Sequence, residues 1–342
     1  MGKNTMLQRL NHLDVIRGLM IIWMLVHHIS LNYGYIHFGD TTPGVTVFTL
    51  MSFFMTPFYV FSGFLFYAKR NFYSFTMNKV RKLLIPYIVF TLFGILVFEL
   101  YSFIVKHSFD TGFIYSFIPT ATFNTNTPCW FFISLFFVCE LYYIAFSIVS
   151  NLNSKWGGQF LRLGILGCFI LAYFTKNHPQ YFGYGNILLG LVYFHLGQEL
   201  KAYEGWIKRN KMLVFVLALI IYCVIGFIYP TSLSFVLNIL TRGSYFANLL
   251  FSVSACMLLW FVSQKFDNTI PGKSLAYIGR ISLVVFAFHR PVLNWILQPM
   301  LMKVYPSISY PTFLVVCLII LIPTSIVLER TMSIYTPKLI GK

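Results

Sequence analysis

A chain of 342 residues that is 58% hydrophobic and only 10% charged, with a mean hydropathy of +0.75, has too few charges to clothe a water-exposed surface. That excludes an ordinary soluble domain and leaves an all-α polytopic membrane protein as the expected class. The formal charge of +16 does not point to nucleic acid, because the basic residues sit in short clusters between apolar runs rather than along one polar face.

The N-terminal MGKNTMLQRLNHLD is polar and basic without a small-residue cleavage pattern, so the first apolar run is expected to be retained as a span. Runs of about twenty apolar residues, the length a helix needs to cross hydrocarbon roughly 30 Å thick, recur along the chain. They predict ten transmembrane helices at about 14–33, 47–68, 83–106, 129–150, 159–175, 186–200, 212–229, 243–263, 281–302 and 311–328. Each must be helical, since lipid offers the backbone no hydrogen-bond partner. Ten crossings place both termini on one side. With that side cytoplasmic, nineteen Lys and Arg fall inside, four (Lys106, Lys176, Arg242 and Lys303) fall outside, and Arg17 and Arg290 lie within spans. This bias orients the bundle with cytoplasmic termini. No repeat period and no appended soluble domain interrupt the series, so residues 1–342 read as a single domain.

The first span, DVIRGLMIIWMLVHHIS (14–30), carries ionisable groups that are expensive at bilayer depth. At about 100° per residue, Arg17 and His28 lie only about 20° apart on the helix, and Asp14 and His28 about 40° apart. The three share a face, while His27 points about 80° away. A rise of about 1.5 Å per residue puts His28 roughly 16 Å deeper than Arg17, near mid-membrane. Such a stripe fits the wall of a wet cavity opening to the cytoplasm. The structural alternative is that Arg17 pairs with Asp14 at i,i+3 and snorkels to the interface, with each histidine a satisfied interhelical partner.

In the second span Ser62-Gly63 allows close approach of a helix or a ligand. The segment after it, with Lys79, Arg81 and Lys82 ahead of Pro86, is a cytoplasmic basic loop suited to phosphates or to lipid headgroups. The fourth span opens on Trp130 and buries Glu140. The ninth places His289-Arg290-Pro291 inside the bilayer. The residues His27, Trp130, Glu140, His289 and Arg290 are thus candidates for a second site. The outer loops YIHFGDTTPG, KHSFDTGFIYSFIPTATFNTNTP and KNHPQYFGYGN set aromatic rings beside amides and hydroxyls. That composition suits carbohydrate, and equally an interfacial aromatic belt. The six cysteines lie in or beside apolar runs with no CxxC spacing or Cys/His cluster. They read as core hydrophobes, and no metal site is expected.

The segments RLNHLDVIRG…HH (9–28), FYVFSGFL (58–65), RKLLIPY (81–87), CWFFISLFF (129–137), YFHLGQEL (193–200) and YIGRISLVVFAFHRPVL (277–293) occur in an order and spacing that resemble the integral-membrane acyltransferase-3 family. Its members include bacterial polysaccharide and peptidoglycan O-acetyltransferases. The resemblance implies transfer of an acyl group, usually acetyl, from cytoplasmic acyl-CoA to a hydroxyl of a surface glycan or lipid-linked oligosaccharide, in the bacterial cytoplasmic membrane. It implies that Arg17 and His28 are the essential pair, that Ser62-Gly63 is the family's Ser-Gly element, and that Lys79 to Pro86 is its donor-side loop. This chain departs from the family's RxxR there, offering Lys79 and Lys82 at that spacing with Arg81 between, and lysine lacks the bidentate fork of arginine. Some members append an SGNH-type esterase domain, which is not expected here.

On these readings His28 is the general base that takes the proton of an attacking sugar hydroxyl, with an acyl-histidine carrier as the alternative. Arg17 would stabilise phosphate or thioester-oxygen charge, held by Asp14. Three rival classes fit parts of the pattern. They are a transporter or flippase for a lipid-linked sugar, a membrane N-acetyltransferase acting on amino sugars, and a b-type haem protein using His28, His195 and His289.

Overall fold

The computed structural model describes residues 11–38, 50, 52–68, 71–109, 127–151, 156–177, 184–234, 238–266 and 268–342. The first helices are α1 (Asn11–Phe38), α2 (Thr56–Phe64), α3 (Phe72–Lys79), α4 (Ile85–Lys106), α5 (Trp130–Asn151), α6 (Gly157–Phe174) and α7 (Tyr184–Ala202). After them come α8 (Glu204–Arg209), α9 (Lys211–Cys223), α10 (Tyr245–Phe266), α11 (Ile270–Arg280), α12 (Ser282–Val292), α13 (Gln298–Val304) and α14 (Tyr310–Tyr335). An antiparallel ribbon of β1 (Ser232–Ser234) and β2 (Ile239–Arg242) departs from the all-helical expectation. It lies between two spans, and its neighbouring Asn238 ties it down by donating to the Ala172 carbonyl and accepting from Tyr245 Oη, both at 2.8 Å.

Every predicted span coincides at least in part with a helix, but the count of ten is not reached among the described residues. Seven helices are long and apolar enough to cross a membrane, or eight if the bent pair Ile270–Arg280 and Ser282–Val304 is one span. Helix α7 is shielded by neighbours along most of its length, so its lipid-facing surface is small and it need not be apolar all round. In the second span the helix α2 is only 9 residues long.

The basic segment expected as a loop is helical. Asn71 caps α3 by accepting from the Ser74 backbone N–H at 2.8 Å, satisfying one of the first-turn donors. Val80–Leu84 then forms a π turn leading into α4. Pro86 supplies the reason: without an N–H it cannot bond the carbonyl four residues back, and the wider i→i+5 pattern absorbs the lost bond. Two more π turns follow, Val224–Ile228 at the end of α9 and Leu293–Leu297, which joins α12 to α13 just ahead of Pro299.

Helix α1 is central. In its best membrane-length window 61% of residues are buried, against 17% in the windows of Gly157–Phe174 and Lys211–Ile228. It packs on α2, α10, α11, α12 and α14. Two glycine pairs set the closest crossings. A Cβ added at Gly18 would overlap the Leu275 carbonyl of α11, and one at Gly279 would overlap the Asp14 carbonyl of α1. Likewise Gly63 of α2 sits on the Phe194 carbonyl of α7, and Gly197 of α7 on the Val60 carbonyl. Small residues at these crossings let backbones touch, which is how helices gain van der Waals contact where lipid removes the hydrophobic drive.

Segments assigned to one side by charge also meet one another. The turn Pro337–Ile340 packs near the π turn at Arg81 and Lys82, Arg330 donates to Tyr277 Oη at 3.4 Å, and Lys201 donates to the Phe66 carbonyl at 3.1 Å. At the opposite end, Tyr33 donates to the Ile308 carbonyl at 3.1 Å and Ser30 bonds Tyr310 at 2.7 Å.

Candidate functional site

Helix α1 supplies the stripe that its sequence predicts. Asp14 in its first turn is 2% exposed and pairs with Arg17 (Oδ1 to Nη1, 3.3 Å), whose side chain keeps 29% of its surface accessible. This is the i,i+3 pairing that the sequence left open, and it fixes the guanidinium without burying it. The crossing at Gly18 and Gly279 locks this end of α1 against α11. Because α1 is continuous over 28 residues, His28 lies roughly 16 Å further along the axis.

At that depth α12 meets α1. The His28 and His289 rings stack with centroids 5.1 Å apart and 29° between planes. His27 contacts His28 edge-on at 5.4 Å and lies against Phe54 at 5.3 Å. His289 is wholly buried, and its Nδ1 reaches the Phe286 carbonyl at 2.7 Å. A carbonyl can only accept, so Nδ1 carries the proton and Nε2 is the basic nitrogen. That Nε2 and the Nδ1 of His28 are both buried with no hydrogen-bond partner, while His28 as a whole stays partly accessible.

One turn beyond His28, Asn32 organises the end of the site away from Arg17. Its Nδ2 donates to Asn294 Oδ1 at 2.7 Å and to Gln298 Oε1 at 2.8 Å, and its Oδ1 accepts from Arg290 Nη1 at 3.3 Å. The π turn between α12 and α13 lets positions 290, 294 and 298 converge on this one amide. Trp295, in the same turn, packs against Phe98 and Tyr101 of α4 at 4.9 and 5.2 Å.

The five residues that the sequence grouped as a second cluster therefore separate. His27, His289 and Arg290 surround His28. Glu140, 7% exposed, accepts instead from Thr76 of α3 at 2.6 Å, and Trp130 opens α5 with its ring 6.0 Å from Phe131. On the donor-side segment, Lys79 lies beside Cys139 and 5.3 Å from the Phe75 ring, whereas Arg81 and Lys82 are exposed. Ser62 is partly buried, and the Gly63 backbone is occupied by α7, its carbonyl accepting from Gln198 Nε2.

Sequence reasoning missed Asn32, Asn294 and Gln298. Their signal was present: a polar residue four after His28, and two more four and eight after Arg290, inside apolar runs. It also missed an open cleft of about 430 Å³ lined by Phe66, Tyr67, Phe146, Gln198 and Lys201. The cleft adjoins α3 through the Phe66–Phe75 contact at 5.9 Å. Most of the aromatic outer loops lie outside the described residues. The six cysteines are free thiols.

The geometry does not favour haem. His28 and His289 stack directly, with no space for a macrocycle between them, and His195 is engaged by Tyr142 at 2.9 Å and Glu199 at 3.2 Å. In comparisons with curated proteins and with solved structures, none matched the chain. Residues 10–330 match the family model described as an acyltransferase domain. Nearly the whole helical chain, with its paired histidines and the Asp14–Arg17 pair, thus falls within one match, and the protein belongs to the integral-membrane acyltransferase-3 family.

Proposed function

We propose that this acyltransferase moves an acyl group, acetyl in the first instance, from cytoplasmic acyl-CoA to a hydroxyl of a surface polysaccharide or lipid-linked glycan, as a multi-pass protein of the bacterial cytoplasmic membrane. The observation that carries the reading is the meeting of His28 and His289 at mid-span, 5.1 Å apart, with unpartnered buried ring nitrogens. A polar group kept unsatisfied at such depth is costly, and a proton-transfer site is the use that histidine serves there.

The donor side is the basic face. Arg81 and Lys82 are exposed there, and Lys201 lines the neighbouring cleft over the Tyr67 ring, 6.0 Å from its centroid. These cations and that ring suit the phosphates and the base of a nucleotide. Arg17, held by Asp14 at 3.3 Å about three turns before His28 on the same helix, would stabilise charge on phosphate or on the thioester oxygen.

In the reaction the acceptor oxygen bonds to the thioester carbonyl carbon as the C–S bond breaks. His28 takes the hydroxyl proton and returns it to the departing thiolate, leaving free coenzyme and an ester. His289, stacked against His28, positions that ring.

Purified protein supplied with radiolabelled acetyl-CoA and a glycan acceptor should yield labelled ester. His28→Ala should abolish it, and near-wild-type turnover in that variant would remove His28 from the mechanism. Mass spectrometry of surface glycans with and without the protein should differ by one acetyl unit per modified residue.

A further inference from the structure

The outer part of the polar core holds a positive charge with no carboxylate beside it among the described residues. Among the described residues Arg290 forms no ion pair. Its single hydrogen bond is the one to Asn32 Oδ1 at 3.3 Å, and its Nε is buried without a partner. Asn294 and Gln298 present only their carbonyl oxygens to Asn32, so their amide N–H groups remain unused. Asn32 uses both of its N–H donors and accepts through its oxygen. The N–H groups left over on this wall are the Nε and remaining guanidinium hydrogens of Arg290 and the amides of Asn294 and Gln298, so donors predominate over the second lone pairs of three amide oxygens. A guanidinium at this depth, with no counter-charge among the described residues, is expensive, and the spare donors around it match a ligand that accepts.

We infer that this wall is the acceptor subsite for an oxyanion, so that the glycan acylated by this protein carries a carboxylate or a phosphate near the reacting hydroxyl. The inference rests on the acyl-transfer reading above and narrows its acceptor class. Gln298, Asn294 and Arg290 follow one another inward along α13, the π turn and α12. They form a ladder of donors that ends at the residue next to His289. An anion held by Arg290 would leave a hydroxyl on the adjacent sugar carbon facing the stacked histidines. Asn32 positions the array, since it bonds all three side chains and has no N–H left for an anion.

The test uses the full-length protein in lipid nanodiscs and three matched probes: methyl glucuronide, methyl glucoside 6-phosphate and neutral methyl glucoside. Without donor, thermal-shift titration should show stabilisation by one or both charged probes and none by the neutral one. Arg290→Gln should remove that response, and Arg290→Lys should keep part of it. With radiolabelled acetyl-CoA, kcat/KM should favour a charged probe over the neutral one by tenfold or more. Arg290→Gln should erase the preference chiefly through KM. The two charged arms tell carboxylate from phosphate.

If wild type acylates all three equally, or Arg290→Gln lowers kcat equally for charged and neutral acceptors, the inference falls while acyl transfer stands. If no probe is acylated but charged probes still bind in an Arg290-dependent way, the anion subsite stands and the acyl-transfer reading falls.

Discussion

His28 and His289 stack at 5.1 Å although they come from opposite ends of the chain, so each ring forms one wall of the other's environment. Single substitutions to alanine should each lower acyl transfer by about 10²-fold or more. The double variant should be little worse than the worse single, because groups acting as a unit are not additive. A double-mutant cycle on initial rates with radiolabelled acetyl-CoA checks this. Independent, multiplying effects would show that the rings do not work together.

The Asp14–Arg17 pair aims a fork that lysine cannot reproduce. Arg17→Lys should raise KM for acetyl-CoA roughly tenfold with a smaller change in kcat. Asp14→Asn should move KM in the same direction by less, since it loosens the guanidinium without removing it. Steady-state kinetics over a range of donor concentrations separates the two parameters.

The crossing of α1 and α11 has no room for a methyl group at Gly18 or Gly279. Alanine at either position should destabilise the protein by about 3 kcal/mol, because backbone and not a flexible side chain must give way. Gly164→Ala meets nothing within 4 Å and should be neutral or slightly stabilising. Thermal unfolding in detergent, followed by intrinsic tryptophan fluorescence, compares the three.

Glu140 accepts from Thr76 at 2.6 Å and so ties α3 to α5. Replacing Glu140 with alanine should cost about 1–3 kcal/mol at that contact and loosen the basic segment. Limited trypsin digestion should then cut faster at Arg81 and Lys82, which are exposed. Unchanged cleavage in a folded Glu140→Ala variant would mean that α3 is held by its other contacts, such as the Phe75–Tyr143 stack at 4.6 Å.

The aligned polar face of α1 and the pairing of Asp14 with Arg17 were legible because both depend on spacing along a single helix, where 3.6 residues per turn fixes the geometry. The membrane class followed from composition for the same local reason, whereas seven or eight membrane-length helices stand among the described residues where the apolar runs predict ten. The helical state of the Lys79 to Pro86 segment was not, because a basic, proline-containing stretch reads as a break until the π turn shows how the helix continues through it.

What the sequence by itself determined is that the chain is a helical membrane bundle and which ionisable residues its apolar runs carry, since lipid forces every span to satisfy its own backbone. Only the tertiary structure decided which helices share a site. It brings His289 and Arg290 to His28 and Asn32 and sends Glu140 to Thr76, because glycine crossings and π turns set the rotation and contact of each helix. Those settings arise between segments remote in sequence, where no local period can record them.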